Sequence, residues 1–282
     1  MGLRINTNVA SLNAQRNLTG TKWGLDKSLE RLSSGYRINR AGDDAAGLAI
    51  SENLRAQTRG LKQASRNAQD GVSLIQVAEG GLNEISSIMI RLRELAVQAA
   101  SDTIGPVERQ FLNVEYDQLV SEVDRIADST EFNGTQLLSG TGSVLDFQVG
   151  TRNDPNIDRL TFDSSKADAN SAALGVNLTS VADKASAQNS LSAIDAAIVS
   201  VSAMRADFGA IQNRLQSTIS NIGISVENLS AANSRIRDVD VAEETAELTR
   251  NNILLQAGTS VLAQANQTSN TALSLLNRTF QG

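Results

Sequence analysis

From Leu54 to Ala99 the apolar residues step by three, four or seven: Leu54, Leu61, Ala64, Ala68, Val72, Ile75, Ala78, Leu82, Ile85, Met89, Leu92, Ala96 and Ala99. Such steps put all of them on one stripe of a helix, close to a coiled-coil seam. At 1.5 Å per residue a helix of that span is roughly 70 Å long. No compact core can cover so long a stripe, so it needs an equally long partner. Leu191, Ile194, Ile198, Val201, Phe208, Ile211, Leu215, Ile222, Val226, Leu229 and Ile236 repeat the spacing and can supply it. The expected fold is mainly α: a long antiparallel helical coiled-coil rod formed by the N- and C-terminal arms, with a small β-hairpin segment in the middle.

The middle is marked by breaks. Asp102–Pro106 ends the first long helix, and Pro106 suits the first turn of the next, where a missing N–H costs nothing. Leu112, Tyr116, Leu119, Val123 and Ile126 outline that shorter helix. Asn133-Gly134 is a turn signal. Beyond it, Phe147-Gln-Val149 and Leu160-Thr-Phe162 alternate in the strand manner around Gly150, Pro155 and Asn156, predicting one or two hairpins on the outside.

Composition removes most catalytic readings. The chain has no His and no Cys, which excludes imidazole and thiolate metal sites, Cys nucleophiles and His-based triads. With 25 basic and 31 acidic residues the net charge is −6, and aromatics are 3%. Neither suits a dedicated nucleic-acid binder. No apolar run approaches the ~18 residues of a membrane span, and Arg4, Asn6, Asn8 and Asn13 interrupt any signal-peptide core after Met1.

The segment Leu32–Ser51 reads as a helix stop and restart. Gly35 suits a left-handed C-cap, and Asp43 or Asp44 suits the start of the next helix. Paired aspartates without His or a nearby third carboxylate point to capping, not catalysis. Gly60, Gly71, Gly80 and Gly81 cost a helix roughly 1 kcal/mol each relative to Ala, which close helix approach would explain. After Glu247 only Arg250 and Arg278 are charged, while Leu254, Gly258, Val261, Ala265, Thr268, Ala272 and Leu275 keep a four-three stripe. Such a tail is expected to be helical once neighbours bury it.

Several motifs together resemble bacterial flagellin: Leu3-Arg-Ile-Asn-Thr-Asn-Val-Ala-Ser-Leu12, Leu32-Ser-Ser-Gly-Tyr-Arg-Ile-Asn39, Asp43-Asp-Ala-Ala-Gly-Leu-Ala-Ile50, Asn67-Ala-Gln-Asp-Gly-Val-Ser-Leu-Ile-Gln76, Arg93-Glu-Leu-Ala-Val-Gln98, Phe132-Asn-Gly-Thr135, Phe147-Gln-Val-Gly150 and Ala272-Leu-Ser-Leu-Leu276. The resemblance implies a short flagellin without large outer domains. It would comprise an inner coiled coil of residues 1–42 and 241–282, ordered on assembly, and a rod of residues 43–240 that includes a short variable segment at 137–184. Subunit packing in the inner part would fall on Ile5, Val9, Leu12, Leu25, Leu29, Leu32, Leu254, Val261, Ala265, Ala272 and Leu275. The family's function would follow: polymerisation into the helical propeller of swimming motility, outside the cell, after export by the flagellar type III apparatus. A hook–filament junction protein is the alternative. Implied partners are other copies of the chain, an export chaperone, the filament cap and hook-associated proteins, with no cofactor. Contact with a host Toll-like receptor would centre on Arg91, Leu95 and Glu115, and cytosolic immune sensors would read Leu273, Leu275 and Leu276.

Overall fold

The computed structural model describes the backbone of residues 7–279 and the side chains of residues 7–267. Five helices dominate: α1 (Val9–Ser34), α2 (Ala45–Ala99), α3 (Pro106–Ser129), α4 (Lys184–Arg237) and α5 (Val241–Thr279). Between α3 and α4 lie two antiparallel strand pairs, β1 (Glu131–Phe132) with β2 (Thr135–Gln136) and β3 (Val144–Gln148) with β4 (Arg159–Asp163). The chain forms two compact units. One contains Met1–Ala56 and Leu229–Gly282, the other Gln57–Asn228.

The second unit holds nearly all of the core. On α2, Ala64, Ala68, Ile75, Ala78, Leu82, Ile85, Met89, Leu92, Ala96 and Ala99 are buried at steps of three, four or seven, as the spacing predicts. Ala187, Ile194, Ala197, Val201, Phe208 and Leu215 of α4 join the same cluster, with Tyr116, Val123 and Ala127 of α3. Arg93 to Asp195 at 2.6 Å and Asp102 to Lys184 at 2.7 Å fix α2 and α4 as antiparallel. Pro106 begins α3 as expected, and Arg109 donates to the carbonyls of Ala99 and Ser101, satisfying the end of α2.

Both hairpin signals hold. Asn133 and Gly134 have φ of 51° and 77°, the positive pair a type I′ turn demands. The β3–β4 register pairs Phe147 with Leu160 and Leu145 with Phe162. The segment does more than decorate the outside, because Leu137, Leu138, Val149 and Phe162 are buried. Phe162 meets Phe208 edge-on at 5.4 Å, so the hairpin side chains complete the helical core.

This explains three of the four helical glycines. Gly71 is buried beside half-buried Val72, which packs on the core as expected, and a Cβ on Gly71 would lie 3.1 Å from the Phe147 ring. A Cβ on Gly60 would meet Thr151, and one on Gly81 would meet the Thr130 hydroxyl at 2.6 Å and Leu138 at 2.8 Å. Gly80 faces open space. Adjacent glycines should therefore respond oppositely. Gly80→Ala should stabilise the chain by about 1 kcal/mol through helix propensity. Gly81→Ala should destabilise it by about 1–2 kcal/mol, overpacking against buried Leu138 and a hydroxyl already bonded to Ile126. Urea-unfolding midpoints of the two variants would move in opposite directions.

Candidate assembly surface

Among the described residues of the terminal unit, Ile38 is the one fully buried apolar side chain. The unit is built from an antiparallel pair, α1 against α5. Asn8 Nδ2 donates to the Ala265 carbonyl at 2.9 Å, Ser11 bonds Asn266, and Arg31 Nη1 meets Glu244 Oε2 at 3.3 Å. The less exposed positions include Ser11, Ala14, Leu18, Thr21, Leu25, Ser28 and Leu32 on α1 and Glu244, Leu248, Asn251, Leu255, Gly258, Leu262 and Ala265 on α5. Both series alternate by three and four. Gly258 admits Leu18 and Gly24 admits Asn251, with virtual Cβ distances of 3.1 and 3.2 Å, so the helices approach closely where one side lacks a side chain.

This seam is small and polar for a coiled coil, and it uses only part of the apolar surface available. Of the positions expected to pack between subunits, Leu25, Leu32 and Ala265 are half-buried on the seam. Val9, Leu12, Leu29, Leu254 and Val261 remain exposed, by 49–57%. The tail stripe read from the sequence shares Gly258 and Ala265 with the seam, but α1 packs on Leu255 and Leu262 instead of Leu254 and Val261. α5 thus carries two overlapping apolar stripes, and α1 covers one. Ala242, Thr245, Ala246, Thr249, Ile253 and Leu254 line a shallow groove on its other side. Trp23, the sole tryptophan, is 68% exposed on α1, with the Lys27 ammonium 5.3 Å from its ring centre. Ile5 and the side chains of Ala272, Leu273, Leu275 and Leu276 lie outside the described residues.

Two helix breaks are fastened together in the same unit. Gly35 adopts φ 74° and closes α1 by donating to the Arg31 carbonyl at 2.8 Å, as its sequence position predicts. The α1–α2 break then pairs with the α4–α5 break: Arg37 N donates to the Arg237 carbonyl at 2.7 Å, and Val239 N to the Gly35 carbonyl at 3.0 Å. Arg237 lies 4.7 Å over the Tyr36 ring and bonds Glu52, which lowers the Glu52 pKa. The sequence predicts the first break; the second, with Asp240 capping α5 through Ala242 N, is not among the expected ones. An Asp immediately before the first helical residue, Val241, is its signal in the sequence.

The paired aspartates divide their roles. Asp44 caps α2 by accepting from Gly47 N at 2.8 Å. Asp43 binds Lys27 at 2.9 Å and accepts from the amides of Arg40 and Asn39. The Lys27 ammonium first, and those amides next, hold its pKa at about 2 instead of 3.8.

On the other unit, Arg91 and Glu115 meet at 2.7 Å, and Arg91 also reaches Glu94 at 3.0 Å. Glu115, then Glu94, raise the Arg91 pKa. Leu95, four residues after Arg91 on α2, is fully buried and contributes no surface.

Comparison with known proteins follows this geometry. The family model for the bacterial flagellin N-terminal helical region matches residues 5–143, and that for the C-terminal helical region matches residues 191–276. A flagellin of Halalkalibacterium halodurans is 49% identical over 272 residues, covering 96% of this chain and 99% of the relative. A flagellin of Bacillus subtilis is 46% identical over 303 residues, covering 97% and 100%. Among solved structures, a crystal structure of Bacillus cereus flagellin aligns with a TM-score of 0.50 at 34% identity, covering 60% of this chain and 94% of that one.

The Asp43 contacts generate a pH test. A carboxyl with a depressed folded-state pKa adds stability above its unfolded value, and that contribution disappears as pH falls through the folded value. Asp43→Asn should therefore cost about 1 kcal/mol at pH 7. The gap to the parent chain should close between about pH 4 and pH 2 in acid-unfolding curves.

Proposed function

Because the chain belongs to the bacterial flagellin family, we propose that it assembles into the flagellar filament by burying the uncovered faces of α1 and α5 against neighbouring copies. It is a structural subunit of that filament and not an enzyme. The observation carrying the assembly mechanism is the contrast between the two units. One has a continuous apolar core, while the other has, among the described residues, a single fully buried apolar side chain and several exposed Leu, Val, Ile and Trp residues. Exposed apolar surface of this kind marks an interaction site.

Different faces of α1 and α5 would meet in successive copies. A contact between unlike surfaces that does not close into a ring propagates as an open helix. At about 25 cal/mol per Å² of apolar area, a few hundred Å² per contact adds up over many neighbours. Ordering the terminal helices opposes this by ~1–2 kcal/mol per residue of backbone entropy. The balance favours a soluble monomer at low concentration and a stable polymer. In this reading Val9, Leu12, Leu29, Leu254 and Val261 pack between subunits, Leu25, Leu32 and Ala265 hold the pair itself, and Ile5, Ala272 and Leu275 extend the interface. Residues 1–42 and 241–282 would form the inner tube and 43–240 the rod.

Further partners follow from the same role. The subunit would leave the cell through the flagellar type III apparatus, with an export chaperone covering the uncharged end of α5, and join hook-associated proteins below and the filament cap above. Host receptors would meet the surface around Arg91, Leu95 and Glu115, and cytosolic sensors the segment Leu273, Leu275 and Leu276.

Purified chain should form long filaments visible by electron microscopy; a hook–filament junction protein would not propagate. Removing residues 243–282 should abolish filaments yet leave the unit around α2, α3 and α4 with a cooperative unfolding transition. A truncated chain that still polymerises would refute the mechanism. Trp23 supplies an optical readout: its emission should shift to shorter wavelength as filaments form, and an unchanged spectrum would remove the outer face of α1 from the interface.

A further inference from the structure

We infer that a basic stripe on α2 of one subunit receives the acidic outer face of α3 of another copy. The inference rests on the filament reading and names a contact within it. From Asn53 to Gln69 the chain has Arg55, Arg59, Lys62 and Arg66 and no acid. Arg59, Lys62 and Arg66 are exposed, and steps of three and four set them on one face of the helix. None of the three takes part in an ion pair among the described residues; Arg66 donates to Gln63 instead. Thr151 abuts Gly60, and exposed Arg152 follows it, adding a cation to the loop at that end. Like charges so arranged repel one another until an anion or an acidic surface settles over them.

The complementary surface occurs on the same chain. α3 has six acidic residues and two basic ones between Pro106 and Ser129. Glu115 and Glu122 are occupied by Arg91 and Arg125, and Asp124 accepts from Ser171. Asp117 and Asp128 are exposed and without an ion pair among the described residues. Eleven residues, about three turns, separate them, so they share a face. Val114 belongs to that face and is 62% exposed; Phe111 beside it is 71% exposed. Acids flanked by uncovered apolar side chains suit a protein contact, where charge sets register and apolar burial supplies affinity. Within one subunit no ion pair joins these two faces among the described residues. Since the faces differ, pairing them between copies is heterologous and compatible with open growth.

The test uses full-length chain and three variants: Arg59→Glu/Lys62→Glu/Arg66→Glu, Asp117→Lys/Asp128→Lys, and the two sets combined. Circular dichroism checks folding, and sedimentation with electron microscopy gives the critical concentration for polymerisation. At about 0.1 M salt each reversal alone should raise that concentration about tenfold or more, and the combination should restore most of the loss. Should the glutamate variant not fold, Arg59→Gln/Lys62→Gln/Arg66→Gln should show a smaller rise and a flatter salt dependence. Parent chain that polymerises alongside reversed variants with unchanged critical concentration overturns the contact and leaves the filament reading standing. Parent chain that never polymerises sinks the filament reading itself. Variants that assemble normally but lose the parent's retention on heparin would assign the stripe to an external polyanion and overturn the contact.

Discussion

An apolar stripe running unbroken from Ala64 to Ala99 must be covered along its whole length, and the architecture of the larger unit answers that demand. A single helix cannot enclose such a stripe, and α4 lies along it in the opposite direction with its own three-four series. α3 packs on the same core through Tyr116, Val123 and Ala127. The remaining gaps are filled from the hairpin segment, whose Phe147, Leu138 and Thr151 press into positions where α2 has Gly71, Gly81 and Gly60. Those glycines weaken the isolated helix and strengthen the packed one. Their cost in propensity is offset by the close approach they allow.

The terminal unit follows a different logic. Its seam is studded with Ser11, Thr21, Ser28, Asn251 and the Arg31–Glu244 pair. Polar groups at seam positions fix register and orientation more than they add stability. The paired breaks at Gly35–Arg37 and Arg237–Val239 fasten the same unit through backbone bonds, which depend little on side-chain identity. Among its described residues the pair has no fully buried apolar side chain. In the proposed assembly, neighbouring copies would supply the apolar surface that the described residues of this pair leave uncovered.

Much of this was legible because helical periodicity is a local signal. The stripe on α2, the Pro106 start, the Gly35 cap and the Asn133-Gly134 turn each depend on residues within a few positions of one another. The packing of Phe147 against Gly71 was not legible, since it depends on a residue far along the chain. Nor was the choice of Leu255 and Leu262 over Leu254 and Val261, because α5 carries both stripes and only α1 selects between them. The sequence also left open which aspartate caps α2; Asp44 does, while Asp43 is drawn away by Lys27 and two loop amides.

By itself, then, the order of residues determined a mainly helical chain with two long arms, a hairpin segment between them and no imidazole or thiol chemistry, because periodicity, turn chemistry and the absence of His and Cys are properties of short stretches or simple composition. Only the tertiary structure decided which stripe each helix buries, that the hairpin residues belong to the core, and that the terminal pair is left with its apolar faces open. Those outcomes are set by competition between surfaces distant in sequence, and such competition is resolved only when the partners meet in space.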